Sequence, residues 1–115
     1  MPWTVLEHPE FTKERQGLPD DVLEKLAEVL VALEDIGPSL GRPWVDTLKG
    51  SRHTNMKEIR FSTRGVWRFA FAFDPARNAV ILVGANKQGE NQKRFYKNLM
   101  DTADRRFDDW LDAGE

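Results

Sequence analysis

The sequence predicts an α+β domain: a mostly antiparallel sheet of four to five strands, N-terminal helices on one face and a C-terminal helix. Three observations carry that expectation. Apolar residues recur at helical spacing over residues 20–36 and again from Gln92 to Leu111. Between them lie strand-like runs joined by hairpin-length turns, which makes antiparallel neighbours. The 115 residues hold no internal repeat, low-complexity run or linker, so 1–115 is expected to be one domain.

The elements follow in chain order. Residues 3–6 (WTVL) suit a short first strand. In HPEFTKERQ, Pro9 fits the first turn of a short helix, and Leu18-Pro19 ends it. Asp20 or Asp21 is expected to cap a longer helix, in which Val22, Leu23, Leu26, Leu30 and Leu33 recur at three- and four-residue steps. Gly37-Pro38 stops that helix. Residues 38–55, with Pro38, Gly41, Pro43 and Gly50, read as loop with a short strand near VDTLK. MKEIRF and VWRFAFAF follow as strands and DPARN as a turn. AVILVGA is apolar throughout, as a strand covered on both faces would be. Phe95, Leu99, Ala103 and Phe107 step by four along the last helix.

The strand VWRFAFAF raises the question of function. Trp67, Phe69, Phe71 and Phe73 share one face, and Arg68, Ala70 and Ala72 the other. The aromatics are the natural seat for the helix bearing Leu23, Leu26 and Leu30. The opposite face is then expected to be open and concave, with small side chains leaving room for a ligand beside Arg68. A hairpin would bring Arg60 near Arg68. Lys57 lies on the same strand as Arg60, and His53 in the loop before it. Lys87, Lys93 and Arg94 surround the loop after the apolar strand, and Tyr96, the only tyrosine, starts the last helix. Structural roles compete for these residues: Arg68 could pair with Glu58 across the hairpin, Tyr96 could pack, and Lys93 and Arg94 could be a solvated helix face.

Charge is unevenly spread. Residues 42–97 hold twelve Lys/Arg against four acids, whereas 1–41 hold three against nine and 98–115 two against six. A basic middle between acidic ends points to a polyanion. The absence of cysteine excludes thiol catalysis, thiolate metal sites and disulfides. His8 and His53 stand far apart without HxxxH or HExxH spacing, so no metal and no cofactor is expected. There is no GxGxxG, GxxxxGK[ST] or GxSxG. Glu58 alone among the acids sits in a strand, which speaks against a carboxylate dyad. With no leader-like start and no membrane-length apolar run, a cytoplasmic location without membrane partners is expected. What is left is a set of cations with a phenol and an imidazole. That chemistry suits phosphodiester cleavage by an adjacent 2′-hydroxyl, which needs neutralised phosphoryl oxygens and two proton transfers.

RPWVDTLKGSRHTNMKEIRF, GVWRFAFAFDP, VILVGANKQ and QKRFYKNLMDTADRRFDDWL resemble the RelE/HigB superfamily of type II toxin–antitoxin toxins, especially its phage-derived HigB-like branch. The resemblance implies a metal-independent mRNA endoribonuclease that usually acts on ribosome-bound message and so inhibits translation. It also implies a cognate antitoxin, commonly a helix-turn-helix protein, through which alone the toxin meets operator DNA. Residue by residue, Arg68 matches the strand arginine that contacts the scissile phosphate, and Arg60 a basic position on the preceding strand. Lys87 lies at or beside the basic position after the apolar strand, and Tyr96 resembles the C-terminal aromatic. These four are the expected catalytic residues, with Lys57, Lys93, Arg94 and His53 as RNA contacts. Two positions before Arg60, where the family carries a basic residue, this chain has Glu58. Two other classes compete: a toxin of the same fold with another target, such as the gyrase-directed ParE branch, and a non-catalytic nucleic-acid or protein-binding module.

Overall fold

The computed structural model describes residues 2–114. In chain order they form β1 (Thr4–Glu7), α1 (Pro9–Arg15), α2 (Asp20–Ile36), a 3-10 turn (Gly37–Ser39), β2 (Val45–Thr47), β3 (Met56–Ser62), β4 (Val66–Phe73), β5 (Asn78–Asn86) and α3 (Gln92–Ala113). The strands make one sheet in the order β1-β5-β4-β3-β2. It is mostly antiparallel as expected; β1 alone runs parallel to its neighbour, β5. A parallel pair cannot be closed by a tight turn, and here the whole intervening chain serves as the crossover.

Local chemistry explains the helix ends. Pro9 occupies the first turn of α1, and His8 caps it, its Nδ1 accepting the Glu10 N–H at 3.1 Å. The expected aspartate cap of α2 does not form: the cap position is Pro19, and no side chain bonds there. Asp21 instead accepts the N–H of its neighbour Val22 and pairs with Arg64. Asp20 and Asp21 favour this end through their charge against the helix dipole. Gly37 ends α2 with φ +73°, and a Cβ there would collide with the Trp3 indole.

The sheet divides the core into two layers. On one face Trp67, Phe69, Phe71 and Phe73 pack with Phe11 of α1 and with Val22, Leu26, Val29 and Leu33 of α2. This is the seat anticipated for the N-terminal helices. The other face is not the open, concave surface expected. Ala70 and Ala72 are fully buried there, with Val80 and Leu82, beneath Phe95, Leu99, Ala103 and Phe107 of α3. Their small side chains make room for a helix rather than for a ligand. Only the end of this face near Arg68 is left for a site.

One irregularity decides what reaches that end. Ala70 pairs with Val83 but Phe71 with Ile81, which leaves Leu82 as the extra residue of a β-bulge. Before the bulge Ala79 and Ile81 face α1 and α2, while Val80 and Leu82 face α3. After it the parity is reversed, so Val83 and Ala85 face α3. Gly84 now opposes Phe69, and a Cβ on it would lie 2.3 Å from that ring. The Leu82 carbonyl accepts from Arg106 Nη1 of α3 at 2.8 Å, and the same guanidinium grips Glu14 of α1 at 2.8 and 2.6 Å.

Candidate active site

β3 and β4 pair with Arg60 directly opposite Arg68 and Glu58 opposite Ala70. Met56, Glu58 and Arg60 are two residues apart, so all three face α3. The hairpin thus sets two guanidiniums and one carboxylate side by side. Lys87 follows Ala85 by two positions, and the bulge therefore turns it toward the same face. Its backbone N–H is fixed to the Val66 carbonyl at 2.7 Å. Tyr96 stands on the second turn of α3, a helix started by Asn91, whose side chain accepts the Arg94 N–H. From there Tyr96 reaches the strands.

The contacts are tight. Arg68 Nε donates to the Tyr96 hydroxyl at 3.0 Å, and Nη1 donates to the Trp67 carbonyl at 2.8 Å. Arg60 Nη1 meets Glu58 Oε2 at 3.1 Å, and Arg68 Nε lies 3.8 Å from Glu58 Oε1. Lys87 Nζ sits 5.4 Å from the centre of the Tyr96 ring. The side chains of Arg68 and Glu58 are only 7% and 6% exposed, against 22% for Arg60. Among the described residues Glu58 Oε1 has no hydrogen-bond partner. A buried oxygen left unpaired costs stability, and such atoms are few in a folded protein and call for an explanation.

Two groups titrate away from their ordinary values. Burial, then the charges of Arg68 and Arg60, lower the pKa of Lys87. Burial raises that of Tyr96, with the Glu58 charge adding to the rise and the hydrogen bond from Arg68 opposing it. At neutral pH Tyr96 is therefore a neutral phenol, and Lys87 is a better proton donor than a free lysine.

All four residues singled out for catalysis, Arg60, Arg68, Lys87 and Tyr96, meet in this cluster. The four expected RNA contacts do not gather with them. Lys57 shares its face with Ile59 and Phe61, on the α2 side of the sheet, because an odd step from Glu58 reverses the face. Lys93 and Arg94 are exposed on the first turn of α3, close to the cluster but outside it. His53 lies at the other end of the sheet, its Nε2 on Asp108 at 2.8 Å and its ring against Phe107. Arg68 is not solvent-facing, and both readings of its position meet here: it neighbours Glu58 and lies among the cations. Glu58, expected only as a structural partner of Arg68, is the residue to which sequence reasoning gave no place in the site. Its period-two relation to Arg60 was the available signal. Among the described residues no group of three or more His, Asp or Glu is placed to hold a metal ion.

Residues 13–108 match the family of phage-derived Gp49-like proteins (DUF891). Two Mycobacterium tuberculosis proteins are similar. A candidate toxin designated HigB3 is 44% identical over 95 residues, covering 83% of this chain and 82% of that protein. A candidate toxin designated HigB2 is 42% identical over 97 residues, covering 83% of this chain but 48% of the relative, so the chain spans about half the length of this second protein. Among solved structures, a mutant of the E. coli toxin RelE in the free state superposes with a TM-score of 0.64 over 87% of this chain and 95% of that one. At 14% identity that match is one of fold.

Proposed function

The chain belongs to the Gp49-like family and, with it, to the RelE/HigB superfamily of toxin–antitoxin toxins, and on that premise we propose that it is an mRNA endoribonuclease that halts translation. The observation that carries this reading is the meeting of Arg60, Arg68 and Lys87 with Glu58 and Tyr96 at one end of the sheet.

The chemistry follows from what each group can do. A 2′-hydroxyl attacks the adjacent phosphorus, the P–O5′ bond breaks, and the products are a 2′,3′-cyclic phosphate and a 5′-hydroxyl. Arg60 and Lys87, the more accessible cations, receive the phosphate first. Arg68 joins them once the Tyr96 phenol yields its hydrogen bond, and its fork then holds phosphoryl oxygens as their charge grows. Glu58 Oε1, which accepts no hydrogen bond although Arg68 Nε lies 3.8 Å away, takes the proton of the 2′-hydroxyl. Lys87, its pKa lowered, delivers a proton to the departing 5′ oxygen. A cognate antitoxin neutralises the toxin, as kinship with the HigB proteins implies. Ribosome-bound message is the natural substrate, as the resemblance to RelE/HigB toxins implies.

Induced expression with a translation readout and mapped mRNA ends tests the reading. The wild-type chain should stop translation and generate discrete new 5′ ends, and Arg60→Ala and Lys87→Ala should lose both effects. Growth arrest with blocked DNA supercoiling and intact mRNA would instead identify a gyrase-directed toxin. No effect at all would identify a binding module.

A further inference from the structure

A cleft of about 680 Å³ opens beside the Tyr96 ring, between α3 and the β2–β3 loop. Its floor is the half-buried thioether of Met100, and its rim carries Gln92, Lys93 and Lys97. Gly50 lets the loop come close: a Cβ there would stand 3.2 Å from the Met100 sulfur and methyl, and φ is +98°. The acids in the cleft are committed. Asp101 pairs with Lys97 at 2.8 Å, and Asp104 accepts from the Ser51 hydroxyl and the Arg52 N–H.

This lining does not suit a phosphate. Lys93 and Lys97 are matched by Asp101 and Asp104, so an anion would find two carboxylates for two ammoniums. An uncharged, flat, polar-edged group fits better: it can lie on an apolar sulfur and an aromatic edge while an amide reads its rim. Gln92 offers both a donor and an acceptor. Tyr96 joins the cleft to the catalytic cluster: the residue lines the one, and its hydroxyl accepts from Arg68 at 3.0 Å in the other. A phosphate held at Arg60 and Lys87 would leave the neighbouring base against Tyr96.

We propose that this cleft is a sequence-selecting subsite, which holds a nucleobase flanking the scissile phosphate on Met100 and Tyr96 and reads its edge with Gln92. The inference rests on the RNA-cleaving reading and adds to it where sequence preference resides.

The protein supplies its own probe. Met56 is fully buried in the core and Met100 lines the cleft, so ¹³C-methyl-methionine labelling gives a control signal and a reporter. The ligands are hexanucleotides of a single base, 2′-O-methylated throughout so that no attacking hydroxyl exists, with binding followed in parallel by fluorescence anisotropy. The Met100 methyl should shift saturably while Met56 stays, and affinities should differ among the four bases. Gln92→Ala should flatten that difference, and Met100→Ala should weaken binding of the preferred base about tenfold, the scale of one lost base contact. Binding in anisotropy with an unmoved Met100 methyl overturns the subsite and leaves the RNase reading standing. Equal affinities for all bases overturn its role in selection. Absence of any RNA binding overturns the cleft as a binding site, whereas absence of mRNA cleavage in cells brings down the parent reading.

Discussion

Replacing Arg68 by alanine is expected to cost both stability and cleavage, and the two losses can be separated. The guanidinium is 7% exposed and holds the Tyr96 hydroxyl, the Trp67 carbonyl and the flank of Glu58. Removing one member of a buried ion pair costs about 3–5 kcal/mol, because the other charge is left behind. Here Glu58 keeps Arg60 at 3.1 Å, so the loss belongs at or just below the bottom of that range, about 2–3 kcal/mol. For a chain of this size that lowers the melting temperature by roughly 10 °C. Cleavage should fall about a hundred- to a thousandfold with the loss of a placed transition-state charge. The double variant Arg68→Met with Glu58→Leu removes both buried charges at once and leaves Arg60, 22% exposed, to turn toward water. It should recover much of the melting temperature, since apolar replacement of a buried pair is often neutral. It should recover no cleavage. Calorimetry and mapped mRNA ends are the assays. A wild-type melt for Arg68→Ala, or wild-type cleavage by the folded double variant, would refute the reasoning.

Three further outcomes are expected. Arg106→Met leaves the Leu82 carbonyl of the bulge and the Glu14 carboxylate unpaired, and should cost about 1–3 kcal/mol. Arg106 also holds the Glu14 carboxyl below its usual range, so its contribution is full above about pH 4.3 and is lost as pH falls through the lowered value. Arg106→Met should therefore flatten the acid limb of a stability–pH curve, and an unchanged limb would contradict the pairing. Lys87 has a lowered pKa, so its cationic form fades below about pH 10.4, and stability gains from its deprotonation as pH rises toward that value. As a proton donor it should give cleavage an alkaline limb below that pH, and Lys87→Arg should remove the limb; a limb unchanged in that variant assigns the proton elsewhere. Gly84→Ala drives a methyl into the Phe69 ring and should destabilise by about 1–3 kcal/mol, while cleavage measured well below the melt stays near wild type.

Much of the fold was legible because alternation and helical period are local signals. The four aromatics of β4 had to pack, and they meet the apolar stripe of α2 as their spacing required. What the other face does was not legible. Ala70 and Ala72 look the same in sequence whether the space above them is empty or filled. The Phe95, Leu99, Ala103 and Phe107 stripe was visible, but its landing place depends on where the chain returns after β5. For the same reason Asp108 of α3, remote in sequence, holds His53 at the far end of the sheet.

The candidate site turns on parity, and parity is read correctly only while the ladder is regular. Glu58 and Arg60, two apart, share a face by the same rule that sends Lys57 to the other one. Reading Glu58 as a missing cation or as a structural partner of Arg68 left it out of the expected site, although the hairpin was bound to place that carboxylate beside both arginines. For Lys87 the rule gives the wrong answer. Counting from Val80 and Leu82, an unbroken strand would put Lys87 on the α2 side. The extra residue at Leu82 reverses the count, and Val83, Ala85 and Lys87 turn toward Arg68 and Tyr96. No residue in ILVGA announces that bulge. It is stabilised from outside the strand, by an arginine of α3 that satisfies the carbonyl left over at Leu82. Lys87 thus owes its place over the Tyr96 ring to a long-range hydrogen bond, and the site is assembled by α3 at two points: directly through Tyr96, and indirectly through Arg106.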